Sequence, residues 1–264
     1  MASEGHTLPI PCRYYRVYTD TDVACVEANF GFVERVLPVP LNQSALVLVD
    51  VWSTHYIDSW LERARRMTAA TIVPILAAAR GAGMTVIHAP SPFIADRYLP
   101  APEAPAPREQ SLFEWPPADF RGIYRGGEYA SFGRNPEPRL SAAMERYVTD
   151  LDIAETVCPV AGEPIIHTGQ QMHGLLAQRG ILHLIYVGFV TNWCLIGRDY
   201  GVIAMNDRGY NVIVVRDATT GIEFHDTVDA LAATNMTIRE VETKYAWSTH
   251  TQGLLGAFEA ARQG

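Results

Sequence analysis

Five short apolar runs, separated by stretches of helical periodicity, constrain this chain more than any other feature. They cover residues 45–51, 85–88, 163–167, 183–190 and 211–215. Each is too short for a core helix, and the first, fourth and fifth are apolar on successive residues. A strand that buries both faces reads this way, and strands of that kind belong to parallel sheets covered by helices on both sides. Between the runs, residues 57–80 carry helical spacing and stop at Gly81 and Gly83. Residues 140–151, 172–178, 195 to about 208, and 226–241 also read as helices, the last with Asp226 as a candidate N-cap. Residues 244–248 read as an edge strand and 252–262 as a closing helix. The alternation predicts an α/β fold built on a parallel sheet.

With 264 residues, 48% of them hydrophobic, the chain has ample core for one large domain. We divide it into an N-terminal extension (1–42) and a main domain (43–264). The extension contains two β-like stretches, 13–18 and 30–39, which predict a hairpin. Within the main domain, residues 89–137 are rich in Pro, Gly and aromatics and include Pro-Ala-Pro-Glu-Ala-Pro-Ala-Pro at 100–107. An irregular insert of that length marks a functional or a disordered segment, and we expect it to cover the active site.

Composition narrows the partners. The net charge is −8 with no basic cluster, which argues against nucleic acid. No apolar run reaches the ~18 residues of a membrane span. The first residues, Met1-Ala-Ser-Glu-Gly-His6, lack the basic start and apolar core of a signal peptide. Four scattered cysteines (Cys12, Cys25, Cys158, Cys194) with no CxxC pair fit reduced thiols of a cytoplasmic protein. There is a single lysine, Lys244.

Ligands of open parallel sheets bind at the carboxyl ends of the strands, where strand order reverses. Asp50, His88, His167 and the segment Thr191 to Cys194 all fall there. Cys194 ends Gly188-Phe-Val-Thr-Asn-Trp-Cys194, at the start of a helical pattern, where the helix dipole favours a thiolate nucleophile. A buried structural cysteine is the alternative. Asp50 closes an apolar strand, where a carboxylate without a role is costly. As a general base it would take the Cys194 proton and return it to a leaving amine. A protonated His167 nearby would favour the thiolate. Trp52, His55, Tyr56 and Trp193 are candidates for a pocket wall. Arg121 and Arg125, in the insert, are candidates to bind a substrate carboxylate.

Three pieces, Leu46-Val-Leu-Val-Asp50, the Gly188–Cys194 motif, and Asp207-Arg-Gly-Tyr-Asn-Val-Ile-Val-Val-Arg-Asp-Ala218, resemble the isochorismatase-like superfamily of cysteine hydrolases. Nicotinamidases, N-carbamoylsarcosine amidases and biuret hydrolases belong to it. The resemblance covers about residues 43–260. It implies a three-layer α/β/α fold with a six-stranded, mainly parallel sheet. It implies an Asp–Lys–Cys triad with Asp50 and Cys194 in the outer roles, and a cis peptide at Val190–Thr191 that shapes an oxyanion hole. The expected chemistry is thiolate attack on an amide, urea or carbamoyl carbon, a thioester intermediate, and release of ammonia or an amine. The family commonly forms dimers or tetramers, so a homo-oligomer is expected, with a small molecule as substrate.

The chain departs from the family where the lysine belongs, since that slot falls on His167 or Thr168. Three outcomes stay open: an Asp–His–Cys set, a hydrolase of a different bond, or a catalytically weak member serving as a binding or assembly protein. The Asp-x-His pattern of the nicotinamidase metal site is not found, so neither a metal nor an organic cofactor is expected.

Overall fold

The computed structural model describes residues 6–99 and 115–263; the 100–107 run lies outside the described residues. In chain order, β1 (Thr7–Arg16) and β2 (Gly31–Pro40) lead into β3 (Ser44–Val49), α1 (Asp58–Met67), α2 (Val73–Gly81), β4 (Thr85–Ala89) and α3 (Pro92–Tyr98). Then come α4 (Leu140–Asp150), α5 (Gly169–Arg179), β5 (His183–Gly188), α6 (Val202–Asp207), β6 (Asn211–Val215), α7 (Ala232–Lys244), β7 (Trp247–Thr249) and α8 (Thr251–Gln263). One sheet of seven strands runs in the order β2-β1-β7-β6-β5-β3-β4. β3 to β7 are mutually parallel, while β1 runs antiparallel to both β7 and β2.

Alternate residues of the strands feed two cores. Leu46, Leu48, Ile185, Val187, Ile213 and Val215 face one side, packed with Trp60, Leu76 and Phe258 of α1, α2 and α8. Val47, Val49, Leu184, Tyr186, Val212 and Val214 face the other, with Leu176 of α5, Met205 of α6 and Val241 of α7. All six residues of β3 are buried, as its unbroken apolar run requires.

The expected α/β fold, with helices on both faces of a mainly parallel sheet, is present, and the sheet has seven strands and not six because the N-terminal hairpin joins it. Residues 163–167 do not form the expected third strand. They make one parallel bridge, Ile165 to His88, because Pro164 has no N–H to extend a ladder. The hairpin forms, with strands starting and ending differently from 13–18 and 30–39, and joins the main sheet through Arg13 opposite Ser248. β7 is therefore an interior strand and not an edge. The helix over 57–80 is interrupted by a π-type turn at Thr68–Ile72, just before Pro74, whose missing N–H breaks the regular ladder. Asp226 does not cap α7. Glu223 does, accepting from the Ala233 and Thr234 amides at 3.0 and 2.9 Å.

The chain passes from β3 outward to β4 and returns to place β5 on the opposite flank of β3. Strand order therefore reverses between β3 and β5, where a crevice opens in folds of this class. Asp50 follows β3 and Cys194 lies six residues past the end of β5. Gly188, the last residue of β5, has φ 110°, and a Cβ there would stand 2.0 Å from the Val49 carbonyl oxygen. The two strand ends meet this closely only because that residue is glycine. Gly188→Ala is expected to cost more than about 3 kcal/mol, read as a loss of soluble protein or a large drop in thermal midpoint. A variant as stable as the wild type would contradict the close approach.

Candidate active site

Asp50 is 1% exposed and takes a left-handed conformation at φ 46°. Asp tolerates that region better than most residues. Its carboxylate accepts from the Ser91 hydroxyl at 3.4 Å on Oδ1 and from Arg198 Nη2 at 3.4 Å on Oδ2. Arg198 also donates to Ser91, so the three side chains form a closed ring. The Cys194 thiol lies against the same carboxylate and donates a hydrogen bond to it.

Burial pushes the Asp50 carboxyl up to about 6, opposed first by the Arg198 charge. Burial, then the Asp50 charge, push the Cys194 thiol up to about 12, against the pull of Arg198. At neutral pH the resting pair is therefore a thiol beside a carboxylate. The preformed thiolate expected from a helix start is not what these surroundings favour. The sulfur needs a base at the moment of attack, and Asp50 is in place to be one.

Cys194 sits in a π-type turn, Thr191–Leu195, in which the Leu195 N–H reaches the Val190 carbonyl at 3.1 Å. The turn is fixed to the loop after β6. Thr191 Oγ1 and Thr219 Oγ1 are 2.6 Å apart, and the Asn192 side chain holds both backbone groups of Ile222 at 3.0 Å. Arg63 of α1 ties the same loop, donating to Thr220 Oγ1 and the Gly221 carbonyl. The cis peptide is Phe189–Val190, one residue before the expected Val190–Thr191. The Thr191 N–H, an expected oxyanion donor, is already bonded to the Thr220 carbonyl at 3.2 Å. The Val190 N–H is directed at the Cys194 sulfur.

The other sequence candidates divide. His167 Nδ1 is 3.6 Å from Asp96 Oδ1, and no hydrogen bond or ion pair among the described residues links it to Asp50 or Cys194. The cation of this cluster is Arg198. It stands four residues after Cys194, a spacing that on a helical turn keeps both on one face. In the sequence an arginine past a strand-end cysteine reads as solvated surface, and the slot of a family lysine falls on the expected third strand instead. Ser91 was missed as well, although it follows β4 by two residues. His167→Ala is expected to leave the pH dependence of iodoacetamide alkylation at Cys194 unchanged. A rise of a unit or more in the apparent Cys194 pKa would restore His167 to the cluster.

His55 is buried, stacked on Tyr56 at 4.6 Å and tilted against Trp60 at 4.3 Å. Its Nδ1 accepts from the Ile57 N–H, and burial, then the Arg146 charge, push its pKa down to about 4, so the ring is neutral. Tyr147 of α4 meets both His55 and Tyr56 edge-on. Its hydroxyl feels the charges of Cys194 and Asp50, which makes it a wall of the same site, one that no sequence motif marks. Trp52 belongs to the core and bridges to Ile153, whereas Trp193, beside the cysteine, is 47% exposed. Arg125 stacks on Phe120 within its own segment, with its guanidinium carbon 4.1 Å from the ring centre. His88 bonds Glu163 at 2.8 Å, and Arg80 clamps the same carboxylate with two nitrogens, a structural network behind Asp50. Among the described residues, no three His, Cys, Asp or Glu side chains converge in a way that could hold a metal ion.

The isochorismatase domain, as a family model, matches residues 135–244, which include Cys194 and Arg198. No curated protein matches the chain. Its structure is similar to that of a cysteine hydrolase from Pseudomonas syringae pv. phaseolicola 1448A, at 18% identity over 85% of this chain and 96% of that one, with a TM-score of 0.53. An isochorismatase from Pseudomonas putida KT2440 aligns at 18% identity over 81% of this chain and 91% of that one, TM-score 0.47. An isochorismatase family protein from Desulfovibrio vulgaris subsp. vulgaris str. Hildenborough aligns at 18% over 84% and 99%, TM-score 0.48. One segment of the chain, residues 135–244, thus matches the isochorismatase domain, and the chain shares the fold of the first of these structures.

Proposed function

We propose that this protein is a cysteine hydrolase acting on a C–N bond of a small amide, urea or carbamoyl compound. The observation that carries the reading is the buried Asp50 carboxylate held between the Cys194 thiol and the Arg198 guanidinium. As the sulfur attacks the carbonyl carbon, Asp50 takes the thiol proton, and the new C–S bond leaves a tetrahedral oxyanion. Collapse of that intermediate breaks the C–N bond, and Asp50 returns the proton to the departing nitrogen. A water, deprotonated by Asp50, then attacks the thioester and releases the acid with the Cys194 thiol restored. Arg198 keeps Asp50 ionised enough to start each half-reaction, the electrostatic part that the family assigns to lysine. Guanidinium holds its charge across the physiological range, which imidazole does not. The name of the Pseudomonas syringae neighbour, a cysteine hydrolase, is in keeping with this chemistry.

A panel of primary amides, ureas and carbamoyl amino acids, assayed for ammonia release with acid-quenched intact mass spectrometry, tests the reading. The expected result is ammonia release together with an acyl adduct on the Cys194 peptide, both lost in Cys194→Ala. Ammonia release that survives Cys194→Ala, or ester hydrolysis with no amide cleavage, would overturn it.

A further inference from the structure

A cavity lies at the carboxyl edge of the sheet, two strands away from the Cys194 strand. It has a volume of about 330 Å³ and sits where β1 and β2 cover the ends of β6 and β7. Arg13, Arg35, Arg216 and His250 line it, with Glu34 as the single carboxylate in the wall. We propose that this cavity binds a small ligand through an oxyanion, a carboxylate or a phosphate, gripped by Arg216 and Arg35 with His250 donating beside them.

Arg216 carries most of the weight. It follows the last residue of β6, is half-buried, and makes one side-chain hydrogen bond, to Ser248 Oγ at 3.3 Å. Among the described residues no carboxylate lies within 4 Å of it, and the same holds for Arg35, whose guanidinium has no hydrogen bond there either. A half-buried guanidinium with no carboxylate in contact is uncommon in a folded chain, and Glu242, Asp217 and Glu34 ease its charge only from a distance. Burial, followed by the neighbouring Arg13 charge, makes the protonated form of Arg216 costlier than usual.

The nearby carboxylates are largely committed. Glu242 Oε1 accepts from Arg13 Nε at 2.8 Å and from Ser248 Oγ at 2.6 Å, and its Oε2, buried without a hydrogen bond, lies 3.9 Å from Arg239 Nε. Asp217 caps the Thr251 N–H at 2.8 Å. His250 Nδ1 accepts from the Gly253 N–H, so the neutral ring carries its proton on Nε2 as a donor. Because Asp217 and His250 already cap the first amides of α8, the guanidiniums and not the helix end provide the recognition. Planar guanidinium forks match carboxylate and phosphate geometry, which sets the ligand class.

The test is calorimetric titration of the full chain with sodium phosphate and, separately, sodium succinate, against sodium chloride at equal ionic strength. Saturable binding of at least one oxyanion is expected, weakened about tenfold or more by Arg216→Gln and by Arg35→Gln. Arg35 is exposed, so its variant decides the matter if Arg216→Gln does not fold. Preference for phosphate or for succinate identifies the ligand's anionic group. Alkylation of Cys194 in Arg35→Gln should proceed at the wild-type rate, which separates this cavity from the active site. Failure of both oxyanions to saturate above chloride, or wild-type affinity in the folded variants, would overturn the proposal.

Discussion

Asp50→Asn is expected to lower kcat/KM for an amide substrate by about two to four orders of magnitude and, in the same protein, to raise thermal stability at neutral pH. The first effect follows from the resting state of the pair. With the thiol pushed up to about 12 and the carboxyl to about 6, the proton sits on sulfur, and attack requires a base in contact with it. Asparagine cannot accept that proton. The second effect follows from burial. In the unfolded chain Asp50 ionises near 3.8; in the folded chain it ionises near 6. A carboxyl whose pKa is raised by folding favours the native state below its unfolded value, and that advantage is lost as pH climbs through the folded value. The wild type therefore carries the charge penalty in full above about pH 6 and is free of it below about pH 4. Replacing the carboxylate removes a penalty on the order of 3 kcal/mol. Arg198 loses its partner in the variant, but its side chain is 31% exposed and resolvates. Paired thermal melts at pH 4.5 and 7.5 check this: the gain of Asp50→Asn over wild type should be larger at the higher pH. A variant destabilised equally at both, or one keeping activity within tenfold, would show Asp50 to be a structural residue.

What the sequence disclosed follows from how locally each feature is determined. β3, β5 and β6 were legible because two-sided burial imposes an unbroken apolar run, and Asp50 and Cys194 were legible as polar residues closing such runs. The segment 163–167 misled because its apolar pair looks like strand, while Pro164 limits it to one bridge. The hairpin of β1 and β2 was visible as β structure. Its docking onto β7 was not, since the contact is made by Arg13 and Ser248, far apart in sequence and unremarkable alone. The site's third group was lost for a related reason. Position 167 lies where a family lysine would be expected and drew attention to histidine. The positive charge instead comes from Arg198, closed into place by Ser91 from beyond β4, and a ring of that kind exists only after the sheet has formed.

Arg198→Gln gives the other large effect, and its signature is a displaced pH profile more than a uniform loss. If Asp50 is the base, kcat/KM rises with pH as the carboxyl ionises, with a midpoint near the free-enzyme value of about 6. The Arg198 charge is the largest influence holding Asp50 down against burial, and it also holds Cys194 down. An opposite charge at this range lowers a carboxyl pKa by about 1–3 units, so its removal should carry the acidic limb upward by a similar amount. At pH 7 the variant would be about tenfold or more below wild type, recovering part of the difference as pH rises. Arg198→Lys restores a charge and should return the limb most of the way toward pH 6, since a single guanidinium nitrogen, Nη2, makes the contacts to both Asp50 and Ser91 and an ammonium can make the same two. A purely structural arginine would depress activity by the same factor at every pH, and lysine would not rescue the midpoint. An unmoved acidic limb in Arg198→Gln would therefore remove Arg198 from the electrostatic role and reopen the question of which group answers for the missing lysine.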